Sequence, residues 1–228
     1  MPNGESDNAA AWLQQARIRR ELEDWPKCLA AAEEVLRLDS GNAEAEILSA
    51  VANFALNHPA RAAESIGRVI PLLPEDGGLH LFHARCLLAQ DKSAEALPSA
   101  LEAAKRLPDS VEAQYACGVA LKRSGKPGMA IPYMERTLAL APGQFNALND
   151  LGDICIAQGR LQDALQFFRR SHALAPYNTD AMSALCFYAA FDPDTDADAL
   201  FDLRRDLGRH LEMQAGNPAR PAAAIGPS

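Results

Sequence analysis

An all-α solenoid built of tandem helix hairpins is the fold class this sequence predicts, and three observations predict it. The chain repeats with a period of 34 residues, without insertion or deletion, over the blocks 9–42, 43–76, 77–110, 111–144 and 145–178. Small residues recur at fixed places in that period, while turn formers and prolines recur at others. The chain is Ala-rich, aromatics make up 6% of the 228 residues, and no run of β-branched residues stands out as a strand. A bundle of amphipathic helices would share the 3.6-residue spacing of apolar side chains, but it has no reason to keep five identical lengths.

Each element follows from its place in the block. Position 8 holds Ala16, Ala50, Ala84, Gly118 and Gly152, and position 20 holds Cys28, Ala62, Ala96, Ala130 and Ala164. Small side chains at both places let the two helices of a hairpin approach closely. Position 15 holds Glu23, Asn57, Asp91, Gly125 and Gly159, residues that tolerate or favour turns, and so marks the turn between the helices. Position 32 holds Ser40, Pro74, Pro108, Pro142 and Pro176. Proline lacks an N–H and clashes with the preceding turn, so the second helix stops there. Pro98 and Pro132, both at position 22, fall inside second helices and predict kinks or late starts.

Outside the five blocks, residues 1–8 read as a disordered N-terminus. Residues 179–214 read as a sixth first helix followed by a capping helix. There Asp192-Pro193-Asp194 breaks the chain, Asp196 can cap, and Leu200, Phe201, Leu203 and Leu207 supply the apolar side. Residues 215–228, rich in Pro, Ala and Gly, read as a disordered tail.

The block 145–178 carries Leu148, Leu151, Gly152, Ala164, Phe168 and Pro176 in the pattern of tetratricopeptide (TPR) repeats, and the chain resembles that family. The first three blocks are looser, with Glu46 and His80 where a large apolar residue is usual and Arg19 and Asn53 where tyrosine is usual. The resemblance implies five tandem TPR hairpins forming a right-handed α-solenoid, plus the extra C-terminal helices. It also implies a concave groove lined by first helices at positions 2, 5, 6, 9, 12 and 13. Those positions place Arg17, Ile47, Val51, Phe54, Leu81, Arg85, Leu88, Tyr115, Val119, Lys122, Arg123, Asn149 and Asp153 in a partner-binding groove.

An exposed apolar row is costly unless something covers it, so the expected occupant is a peptide or protein segment, with Arg85, Lys122 and Arg123 registering its acidic groups. A competing reading gives part of the row, Leu48 and Phe82 in particular, to packing between neighbouring first helices. The residues with which chaperone-type relatives clamp a terminal carboxylate are missing, since Leu13, Arg17, Leu48, Gly78 and Phe82 stand at their places. Positions 6 and 9 also lack the asparagine ladder of sugar-transferring relatives.

The segment 179–212 resembles the linker region of bacterial SPINDLY and O-GlcNAc transferase-like glycosyltransferases on Asp192, Pro193, Asp194, Leu200, Phe201 and Arg205. That resemblance implies the substrate- or partner-recognition region of such a protein, lacking its catalytic domain. The alternative is a stand-alone adaptor or self-assembling scaffold unrelated to glycosylation, with a homo-oligomer as one outcome.

Charge and motifs bound the rest. A net charge of -8 and a pI near 5.1 argue against nucleic acid, whose phosphates call for clustered Lys and Arg. There is no basic stretch followed by an apolar core at the start, and no uninterrupted apolar run of about 18 residues, so no membrane association and a cytoplasmic location are expected. Cys28, Cys86, Cys117, Cys155 and Cys186 show no paired spacing and read as buried small residues. His80 and His83 lie three apart but face the partner helix, with no third ligand at the next helical step. No phosphate loop, nucleophile elbow or paired-carboxylate constellation appears. No catalytic residue, metal site or cofactor is expected, and the chain is not expected to be an enzyme.

Overall fold

The computed structural model describes residues 3–193 and 195–215. Its helices are α1 (Asn3–Glu21), α2 (Trp25–Leu38), α3 (Ala43–Ala55), α4 (Pro59–Val69), α5 (Gly77–Leu88), α6 (Ser93–Arg106), α7 (Val111–Arg123), α8 (Pro127–Leu140), α9 (Phe145–Ala157), α10 (Leu161–Leu174), α11 (Thr179–Tyr188) and α12 (Ala197–Ala215), with a 3-10 turn at Ala189–Phe191. No strand occurs among the described residues. None of the described helices is long and apolar enough to cross a membrane. The fold is an all-α TPR solenoid.

The 34-residue ruler sets where helices start. Second helices begin at residues 25, 59, 93, 127 and 161, and first helices from α3 onward begin at 43, 77, 111, 145 and 179. Position 15 takes the left-handed turn conformation in every block: φ is 53° at Glu23, 63° at Asn57, 57° at Asp91, 79° at Gly125 and 73° at Gly159. Glycine and, less easily, Asn and Asp accept that region, whereas glutamate at 23 pays a steric cost there. Position 34 caps the next first helix in four of the five blocks, Gln144 making no such bond. The side chains of Asn42, Asp76, Ser110 and Asn178 accept hydrogen bonds from the backbone N–H of Ala45, Leu79, Ala113 and Asp180, satisfying donors the helix leaves open.

Some expectations need correction. α1 begins at Asn3, so residues 3–8 are helical and not disordered; no proline interrupts the run from Asn3 into the helix-forming Ala9–Ala11. Residue 215, assigned to the tail, is the last residue of α12, and the expectations for 1–2, 194 and 216–228 lie outside the described residues. Pro98 and Pro132 do not delay their helices, because α6 and α8 start in register at Ser93 and Pro127. Pro98 is the sixth residue of α6, so it deprives the carbonyl of Ala94 alone of its helical donor. Among the second helices the short one is α4, with 11 residues against 14 in α6, where Pro71 follows soon after Val69 and offers no N–H to the carbonyl of Gly67.

The chain divides into two compact units, Met1–Tyr133 and Met134–Ser228. In the first unit each helix packs on its neighbour from α1 to α7, and the first helices also touch one another, α1 on α3 and α5 on α7. Ala16, Cys28, Ala31, Ala32, Leu48 and Ala52 form one buried cluster, with Trp12, Leu13, Trp25 and Leu29 packed against it. Polar residues at position 4 are buried with partners. Arg68 donates to Glu46 twice, at 2.6 and 2.9 Å; His80 Nε2 sits 3.0 Å from the carbonyl of Pro74; Gln114 Nε2 donates to the carbonyl of Ala104 at 3.0 Å. Each of these side chains keeps at least one hydrogen bond, which is how the looser blocks tolerate a buried polar group, although His80 Nδ1 is buried without a partner.

In the second unit α9, α10, α11 and α12 pack in succession. A Cβ on Gly152 would stand 2.4 Å from the ring of Phe168, so only glycine fits that crossing. Phe168 is 1% exposed and stacks on Tyr188, with centroids 6.2 Å apart and planes 6° from parallel. Leu200 and Leu203 of α12 close the same cluster. Phe201 is 66% exposed, since one step along a helix turns it about 100° from Leu200, and it leaves the apolar side to the leucines. At the start of the loop into α12, the buried carboxylate of Asp192 accepts from Gln162 Nε2 at 3.0 Å and Thr195 Oγ1 at 3.2 Å, with Arg169 3.5 Å away.

Candidate functional site

In the first unit, residues of the candidate groove lie on α1, α3, α5 and α7. Ile47, Val51 and Phe54 are spaced 4 and 3 residues apart on α3, which sets them on one face, and all three are half-buried. The Phe54 ring meets Phe82 edge-on at 5.5 Å and 70°, and the Arg85 guanidinium lies 5.6 Å from the Phe54 centroid. Both geometries are attractive ones for an aromatic ring. The result is a strip of partly exposed apolar surface with a cation over the ring at one end.

Three residues of the expected row are not open. Leu81 is 8% exposed, Leu88 7% and Val119 7%. The direct packing of α5 on α7, with α6 also against both, takes these side chains out of water, so part of the row serves packing between helices. Leu48 is buried and Phe82 half-buried, as the competing reading allows. Tyr115 and Lys122 are half-buried.

The exposed cations at the margins already have partners. Arg17 forms a two-pronged pair with Glu44, both contacts 2.6 Å, and the hydrogen bond from Arg17, aided by its charge, holds the Glu44 carboxyl below its usual range. Arg123 lies 3.6 Å from Asp91. Pairs this exposed contribute little, so an acidic ligand could displace them.

Asn149 and Asp153 belong to α9 in the second unit. Asn149 is half-buried, with its Oδ1 shut away from water and without a hydrogen-bond partner, while Asp153 is exposed. The same unit carries an aromatic pair that the sequence reading passed over. Phe187 and Phe191 are 60% and 64% exposed, with centroids 5.6 Å apart. They stand at positions 9 and 13 of the block that would begin at Thr179, so extending the ruler one block further finds them.

The remaining candidates are the two histidines and the five cysteines. His80 and His83 turn to different groups, the Pro74 carbonyl and Ser99 Oγ, the latter at 2.8 Å. No cluster of three or more His, Cys, Asp and Glu side chains able to hold a metal ion occurs among the described residues. All five cysteines are buried. Burial pushes the Cys86 thiol up to about 12 and the Cys117 thiol to about 11, and raises the other three as well. They are thiols, not the thiolates that nucleophilic or metal chemistry needs.

The tetratricopeptide repeat family model matches residues 81–144 and 115–179, from α5 to the first residue of α11 and under half of the chain. None of the curated proteins matches it. Among solved structures, YrrB, described as a TPR protein with an unusual peptide-binding site, is similar with TM-score 0.72 at 17% identity, covering 81% of this chain and 98% of that one. MamA is similar with TM-score 0.68 at 18% identity, covering 75% and 93%. PilF of Pseudomonas aeruginosa has TM-score 0.70 at 18% identity and covers 94% and 100%. At such identities the likeness is one of fold. The chain thus carries tetratricopeptide repeats in residues 81–179, and its fold is the TPR solenoid.

Proposed function

We propose that the chain is a non-catalytic protein–protein interaction module, acting in the cytoplasm, whose first-helix face in the first unit binds a peptide or protein segment. The observation that carries this reading is the strip of Ile47, Val51 and Phe54, partly exposed and ended by Arg85 over the Phe54 ring. The strip offers apolar anchoring, and Arg85 offers a guanidinium for an acidic group on the occupant. The peptide-binding site ascribed to YrrB, which shares the fold, supports the same use here. The narrower reading, recognition on behalf of an O-GlcNAc transferase-like glycosyltransferase, rests on the sequence resemblance of 179–212 alone, and the matched repeats end at 179.

The test is affinity capture from source lysate with the wild-type chain beside Ile47→Asp/Val51→Asp and, separately, Arg85→Glu. The expected result is loss of retained proteins in both variants with helicity unchanged by circular dichroism. Equal retention by all three chains would overturn the groove reading and leave a self-assembling scaffold, which sedimentation at several concentrations would reveal. Enrichment of Ser/Thr-glycosylated proteins among the retained set would favour the transferase reading. Val119 is unsuited to this test, because a carboxylate placed at a 7% exposed site tests folding and not binding.

A further inference from the structure

A cavity of about 310 Å³ in the first unit is lined by Ala60, Ala63, Glu64 and Gly67 of α4, His83 and Leu87 of α5, Gln90 and Lys92 of the following turn, and Glu95 of α6. It shares no residue with the groove set. We propose that this cavity is a binding site for a guanidinium cation, the side chain of an arginine on a partner protein.

The first support is Gly67. Gly152 and Gly77 sit where a Cβ would collide at 2.4 and 2.8 Å, and Gly125 and Gly159 hold left-handed turns, while Gly128 and Gly208 have neither reason. Gly67 has neither. It lies inside α4 without a left-handed φ, and the nearest atom to a Cβ there is His83 Nε2 at 3.9 Å, an ordinary contact. Glycine is a poor helix former. The same position of the other four blocks holds Glu33, Leu101, Glu135 and Arg169, all large. A side chain is missing from one hairpin alone, and the space it leaves is the wall of this cavity.

The second support is the surplus of acceptors. His83 Nδ1 is engaged with Ser99 Oγ at 2.8 Å, which leaves Nε2 facing Gly67. Burial holds the His83 imidazole below its usual range, with the charge of His80 adding to the effect, so the ring is neutral near pH 7. In the tautomer where Nδ1–H donates to Ser99, Nε2 accepts. Gln90 Nε2 donates to the carbonyl of Cys86 at 2.9 Å, leaving its Oε1 as an acceptor. Glu64 and Glu95 line the cavity with no ion pair within 4 Å among the described residues, although Glu64 feels the charge of Arg68, and Lys92 is the single cation in the lining. A planar group with five N–H donors fits dispersed acceptors better than the compact ammonium of lysine, and Ala60, Ala63 and Leu87 offer apolar wall for its alkyl stem.

The experiment titrates the chain with N-acetyl-arginine-N-methylamide, free arginine and N-acetyl-glutamine-N-methylamide, following the His83 ring resonances by NMR. A saturable His83 shift with the capped arginine, none with the glutamine compound, and loss of the shift in Gly67→Leu with helicity retained are the expected results. Should Gly67→Leu fail to fold, Glu64→Gln/Glu95→Gln carries the same test, with an affinity weakened at least tenfold expected. Equal response to both arginines identifies a protein side chain as the source. Markedly tighter binding of free arginine, whose carboxylate can pair with Lys92, identifies the amino acid itself. No saturable shift with either arginine, or a shift untouched by the substitutions, overturns the site.

Discussion

The hairpins α5/α6 and α9/α10 meet the same backbone register with opposite distributions of volume. At positions 8 and 24 the former holds Ala84 and Ala100, both fully buried, and the latter holds Gly152 and Phe168, with no room for a single added carbon between them. The period therefore dictates how the backbones run but not which helix supplies the atoms that fill the space between. An alanine–alanine crossing is close to symmetrical. A glycine–phenylalanine crossing is directional, and its ring also reaches Tyr188 of α11, so α9/α10 hands its packing on to the next helix.

The largest effect that would break the comparison is Phe168→Ala. Truncating a fully buried aromatic costs about 3–5 kcal/mol, expected as a lower urea midpoint and, through Tyr188, a looser α11 in hydrogen exchange. Next is Gly152→Ala, where the rigid ring cannot yield without shifting α10; about 1–3 kcal/mol of overpacking is expected, partly offset by alanine's better helix propensity. The double variant Gly152→Ala/Phe168→Ala installs the pair of α5/α6 in α9/α10. Its cost should fall below the sum of the single costs in a urea double-mutant cycle, and strict additivity would show that the two positions do not sense one another. The smallest effect is Ala84→Gly, about 1 kcal/mol from helix propensity alone.

The fold was legible because its decisive features are local and repeat. Proline at position 32 and a turn former at position 15 act through the backbone of their own block, and five copies make the register unmistakable. The site was legible only in part, because a helical face position states a direction and not an exposure. Leu81, Leu88 and Val119 point as the period says, yet neighbouring helices cover them, while Ile47, Val51 and Phe54 keep part of their surface. Glu46 and His80 looked like departures from the pattern because their compensating partners lie elsewhere, Arg68 on the second helix of the same block and the Pro74 carbonyl in the block before. Phe187 and Phe191 could have been found by counting on from Thr179. The cavity beside Gly67 could not, since it depends on what α5 and α6 bring opposite a missing side chain.

The five buried thiols have a consequence of their own. Cys28, Cys86, Cys117, Cys155 and Cys186 fall on α2, α5, α7, α9 and α11, one in every block except 43–76 and one in the sixth first helix. None can react with a soluble alkylating reagent until its own helix pair opens, so site-resolved labelling would read local opening along the array as five separate clocks. The protein comes already fitted with a reporter in every hairpin except α3/α4.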